Sequence, residues 1–219
     1  MTSSLLTIPK NLISAQMQMA RNLLRRIDGD FEIDPWGFDS DVHAALVALG
    51  RARWDVEVEG LGHVPESGPV VLAVQRRWGL SEQTVVTLAL ASVDRRVRRV
   101  GIPRPEVLET TFRLGGNVMA DPAEVRGLLR DGHVLSVPMN RSLRGSKPGS
   151  LDPLMLEPAV DMGVPILPVG VSGLEWRRKW RVCIDAPVKA PSEDGRLGAI
   201  EMAGRAREAV DALTGRGGI

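Results

Sequence analysis

Apolar and polar positions along the chain fall into two alternating periods, one of strands and one of helices. "PVVLAV" (69–74) is a continuous apolar run, as expected of an inner strand covered on both faces. "WDVEVEG" just before it alternates Trp54, Val56 and Val58 with Asp55, Glu57 and Glu59, the pattern of a half-buried strand ending in a glycine turn. "SEQTVVTLALAS" (81–92) predicts a helix and "RRVRRVGI" a short strand; "PEVLETTFRLGG" predicts a helix stopped by two glycines. "NVMAD" is a brief strand, and "PAEVRGLLRDG" a helix with proline at its start and glycine at its end. "HVLSVPM" (strand), "LDPLMLEPAVDMG" (helix), "PILPVGV" and "WRVCIDAPV" (strands) and "GAIEMAGRAREAVDALTG" (a terminal amphipathic helix) complete the series. Strands alternating with helices predict an α/β fold: a mostly parallel central sheet flanked by helices.

Upstream lies a helical extension. "NLISAQMQMARNLLRRI" (11–27) gathers Leu12, Ile13, Met17, Ala20, Leu24 and Ile27 near one helical face, with Arg21, Arg25 and Arg26 mostly elsewhere. That face suits packing on the domain or a second subunit, and equally a membrane surface. The acidic "DGDFEIDPWGFDSD" (28–41) reads as a connector, with Asp39 or Ser40 capping the helix "DVHAALVALGRARW". The expected organisation is an extension over 1–53 packed on an α/β domain over 54–219.

Composition changes this picture in a few places. The 219-residue chain carries a net charge of +1, which argues against a nucleic-acid partner. Lysine is confined to Lys10, Lys147, Lys179 and Lys189, so most positive charge is arginine, the better bidentate partner for phosphate or carboxylate. A single cysteine, Cys183, precludes an intrachain disulfide and fits a reducing compartment. His43, His63 and His133 lack metal-ligand spacing, so neither metal nor cofactor is expected. No apolar run reaches the roughly 18 residues of a spanning helix. The expected location is cytoplasmic, with or without peripheral contact at the inner face of the membrane.

Three segments together carry a family resemblance. "VEVEGLGHVPESGPVVLAV", "LLRDGHVLSVPMNRSLRGSKPG" and "AVDMGVPILPVGVSG" resemble, in order and spacing, the entry strands, the helix–Gly–strand motif and the later apolar strand of the glycerol-phosphate and lysophospholipid (PlsC-like) acyltransferase superfamily. "DPWGFD" is similar to actinobacterial members. The resemblance spans roughly residues 54–190. It implies an acyltransferase-like fold whose family chemistry uses a histidine and, after four intervening residues, an aspartate. The histidine takes the acceptor hydroxyl's proton during attack on an acyl thioester, and the aspartate holds and stabilises the imidazolium.

Here those motif positions hold Gln75, Arg76 and Ser81. An arginine stays protonated and cannot be a general base, and a serine offers no fixed negative charge. The second motif is replaced by Val137-Pro138-Met139-Asn140-Arg141-Ser142, with Arg144 and Lys147 close behind; Arg141, Arg144 and Lys147 make either an anion-binding cluster or a solvated basic loop. In the middle motif, Asp121 and Pro122 stand where a phosphate-binding arginine is expected, which lowers the expectation of a phosphate acceptor. Arg76, Arg77, Arg141, Arg144 and Lys147 are the candidate ligand contacts. Ser81 is expected as a helix N-cap, Glu82 as a first-turn carboxylate and His133 as a strand start.

Two functions follow from this. Either the fold binds an acyl or lipid-like ligand without the standard chemistry, or it is an atypical acyltransferase moving an acyl group to a non-phosphate amine or hydroxyl acceptor. The partners implied are acyl-CoA or acyl carrier protein, with a protein partner, a second copy or a membrane surface as further candidates.

Overall fold

All five residues of β2 (Val70–Val74) are buried, as the unbroken apolar run requires of a strand with helices on both faces. In the computed structural model, which describes residues 33–76, 81–102, 109–141 and 148–216, β2 lies at the centre of a seven-stranded sheet. The elements in chain order are α1 (Ser40–Arg53), β1 (Asp55–Glu59), β2, α2 (Glu82–Leu90), β3 (Val97–Ile102), α3 (Glu109–Leu114) and β4 (Asn117–Met119). There follow α4 (Pro122–Arg130), β5 (Val134–Pro138), α5 (Pro153–Asp161), β6 (Ile166–Gly173), β7 (Lys179–Ile184) and α6 (Gly195–Arg216). The strand order is β1-β7-β6-β2-β5-β3-β4. Every pairing is parallel except β6 with β7, which return on each other as a hairpin. The last strand in sequence therefore lies inside the sheet, and β1 forms the edge.

Alternation along the inner strands builds two cores. Val71, Ala73, Leu135, Val137 and Ile166 face α4, α5 and α6. Leu72, Val74, Val134, Leu167 and Val169 face the other way, onto Val85, Val86 and Ala89 of α2. Helix α1 joins this second layer: Gly50 lies so close to α2 that an added Cβ would meet Leu88 at 2.8 Å. Beyond β1, Gly60 turns with φ +77°, and a Cβ there would stand 1.8 Å from the Ile184 carbonyl oxygen. Only glycine allows both that conformation and that approach.

The segment read as a connector is a rivet. Asp34 accepts the backbone N–H groups of Trp36 and Phe38, each at 2.9 Å, and pairs with the buried Arg98 of β3. Trp36 lies against Gly127 of α4 and donates its indole N–H to Asp131 at 2.8 Å. Phe38 is buried beneath the Arg98 guanidinium, 4.1 Å from the ring centroid. Asp39 then caps α1 by accepting from the N–H groups of Asp41 and Val42.

The helix expected over 11–27 and residues Arg77, Arg144 and Lys147 lie outside the described residues. Among the described residues, no helix is long and apolar enough to cross a membrane.

Candidate functional site

Parallel strands collect their C-terminal ends along one edge of the sheet, where ligands of open α/β folds bind. Register brings the motif segments together there. Val74 pairs with Pro138 on one side and Val169 on the other, and the Met139 N–H bonds the Val74 carbonyl at 2.9 Å. The segments after Val74 and after Pro138 thus leave adjacent strands side by side.

Between these strand ends and α2 lies a cavity of about 90 Å³, lined by Gln75, Arg76, Glu82, Gln83, Arg99, Val100, Gly101, Asn117 and Pro138. Gln75 is only 3% exposed, and its backbone N–H is tied to the Val169 carbonyl at 3.0 Å. Arg76 follows at the wall. Glu82 is 4% exposed at the start of α2.

Ser81 occupies the N-cap position of α2, yet its hydroxyl makes no cap bond. It donates instead to Glu175 in the β6–β7 turn, whose other carboxylate oxygen accepts the Ser81 N–H at 3.0 Å. A carboxylate thus stands beside Ser81 at the start of α2, supplied from 94 residues away. Nothing local in the sequence marks Glu175 for this.

Arg141 is exposed and does not line the cavity. The strand end before it is anchored by Asn140, whose N–H bonds the Ser150 carbonyl at 2.7 Å and whose amide donates to the Ser150 hydroxyl at 2.9 Å. Asp121 does not face the cavity either. It is exposed and caps α4 by accepting the Glu124 N–H at 3.4 Å. The carboxylate expected to repel an anion at this point is helix-capping structure, and Pro122 after it starts the helix.

The three histidines all lie elsewhere. His133 precedes β5 at the end opposite Pro138, as expected, roughly 16 Å away at about 3.3 Å per strand residue. His63 meets the Ile184 carbonyl at 3.1 Å. His43 is buried on α1 beside Phe38, where burial, and then the charges of Arg99, Arg96 and Arg98, lower its pKa to about 4. Cys183 is half-buried, and burial together with Glu59 raises its thiol pKa, which makes it a poor nucleophile. Among the described residues, no cluster of histidine, cysteine and carboxylate side chains could hold a metal ion.

The fold as a whole is similar to a solved structure, the 1-acyl-sn-glycerophosphate (LPA) acyltransferase PlsC from Thermotoga maritima, with a TM-score of 0.55 over 94% of this chain and 86% of that one. The fold is PlsC-like. Sequence identity to that enzyme is 21%, so the likeness is one of architecture. No family model matches the chain, and no curated protein matches it. Within this fold, Gln75 and Arg76 follow β2 and Ser81 precedes α2.

Proposed function

We propose that this protein uses its PlsC-like fold to bind an acyl or lipid-like ligand and has given up transfer through a histidine–aspartate pair. The observation that carries this reading is the content of the cavity wall. Arg76 lines the cavity, the family resemblance aligns it with the catalytic histidine, and none of the chain's three histidines lines the cavity. A guanidinium at physiological pH has no lone pair to take the acceptor's proton. What it does well is hold an anion: a carboxylate, a phosphate or the phosphopantetheine arm of acyl-CoA or acyl carrier protein.

One observation favours a second reading, an atypical acyltransferase with a non-phosphate acceptor. Glu82 and Glu175 bring two carboxylates to this edge of the sheet, and Arg76 is placed to stabilise an oxyanion. An amine acceptor of low pKa needs little base, so positioning would supply most of its acceleration.

Equilibrium binding of acyl-CoA and acyl carrier protein thioesters tests the first reading. The protein is expected to bind them saturably, and Arg76→Ala to weaken binding by about tenfold, the loss of one charge-assisted contact. Acyl chains carried through purification, detected by mass spectrometry, are expected too. Absence of both saturable binding and carried-over acyl chains would overturn the proposal.

A further inference from the structure

Two neighbouring arginines of β3 are treated in opposite ways. Strand alternation sends Arg98 to one face, where Asp34 neutralises it. Arg99 goes to the other face, under α2, at a position flanked by Ser136 of β5 and Asn117 of β4. There it donates to the Gly115 carbonyl at 2.9 Å and, more weakly, to the Thr84 hydroxyl at 3.4 Å. No carboxylate pairs with it among the described residues, and its Nε has no hydrogen-bond partner. Burial lowers its pKa. A buried guanidinium without a counter-charge is costly, and a buried polar group left unpaired calls for a partner outside the chain.

The residues around Arg99 are incomplete in the same direction. Gln83 accepts the Ser136 hydroxyl at 2.5 Å and so orients its amide nitrogen, which has no partner among the described residues. Gln75, almost wholly buried, has a side-chain oxygen with no partner. All three line the cavity, together with Arg76 and Glu82. Its 90 Å³ exceeds the roughly 10–15 Å³ that one water needs, and suits a small polar group of several atoms. It cannot hold a long acyl chain. The wall therefore offers cationic donors at Arg99 and Arg76, a neutral donor at Gln83 and an acceptor at Gln75.

We propose that this cavity is a carboxylate subsite, taking a small hydroxy- or amino-carboxylate whose anionic oxygens meet Arg99, Arg76 and Gln83 and whose adjacent O–H or N–H meets Gln75. The proposal rests on the reading of this edge as a ligand site and names the polar end of the ligand. The same chemistry comes from a free hydroxy or amino acid, or from the carboxylate head of an acylated one.

Titration calorimetry on the full chain with glycolate and glycine, against the uncharged glycolamide and against inorganic phosphate, tests it. N-acylglycine and O-acyl-hydroxyacetate probes form the second arm. Carboxylate binding that glycolamide and phosphate do not reproduce is the expected result, with Arg99→Met weakening it tenfold or more and Arg99→Lys retaining part of it. Because a buried position is altered, thermal melts of both variants are run first; a folded Arg99→Lys keeps the test decisive if Arg99→Met fails to fold. Tighter binding of the acylated probes identifies a lipid-borne head, and equal or weaker binding a free acid. No saturable carboxylate binding, binding matched by phosphate or glycolamide, or equal affinity in a folded Arg99→Met protein overturns the proposal. If thioesters fail to bind while glycolate binds, the acyl-ligand reading falls and the subsite stands; the reverse result removes the subsite alone.

Discussion

Asp34→Ala is expected to destabilise the fold by about 3 kcal/mol or more, a large effect for a residue outside the central sheet. Asp34 closes the ion pair with Arg98, whose side chain is only 3% exposed, and also accepts two backbone N–H groups at 2.9 Å. Removing it strands a guanidinium between β3 and the Phe38 ring and leaves that turn without its acceptor. Urea unfolding of the variant measures the loss. The double variant Asp34→Ala/Arg98→Met is expected to recover part of it, because the cost lies mainly in the uncompensated charge. The solvent-accessible Arg205–Glu201 pair serves as contrast, its removal being expected to cost far less. A loss below about 1 kcal/mol for Asp34→Ala, or no recovery in the double variant, would contradict the account of this segment as a rivet.

The second large effect is acid-induced. Folded His43 stays neutral down to about pH 4, held there by burial and by Arg99, Arg96 and Arg98, whereas an unfolded imidazole protonates near 6.5. Between those values the unfolded chain binds more protons, so stability rises with pH through the window and is lost as pH falls through it. The loss from this group amounts to about 2 kcal/mol by about pH 5, and about 3 kcal/mol across the window. Carboxylates contribute to acid unfolding as well, so the quantity to measure is the difference between the wild type and His43→Gln. Urea midpoints collected from about pH 7 to pH 4 are expected to converge as pH falls. Parallel curves would show that His43 takes up its proton in the folded state.

Much of the fold was legible because burial on both faces leaves a plain mark. The run at 69–74 could only be an inner strand, and the alternation at 54–59 a half-buried one; both are found at the centre and edge of the sheet. Asp39 was legible as a cap for the same local reason. The rivet was not, since Asp34, Trp36 and Phe38 find their partners in β3, α4 and the α4–β5 turn, far along the chain. Strand order was also hidden: the β6–β7 hairpin inserts β7 between β6 and β1, which no local periodicity encodes.

For the site, Gln75 and Arg76 line the cavity, as their place after β2 suggested, and Arg141 does not. Ser81 begins the helix as expected, but Glu175 takes its hydroxyl. Arg99 was overlooked even though a signal was present. Two adjacent arginines within a strand must point to opposite faces, and in a sheet covered on both sides each then needs a counter-charge. Asp34 answers that need for Arg98. For Arg99, the described residues supply none.

The central proposal is that this PlsC-like fold binds acyl ligands without transferring the acyl group. Thiol release tests it most directly: purified protein with acyl-CoA and acyl carrier protein thioesters, in the presence of 1-acyl-sn-glycerophosphate and a panel of alcohols and amines. The account predicts saturable thioester binding with no acceptor-dependent release above the protein-free rate. Acceptor-dependent release that Arg76→Ala abolishes would contradict it.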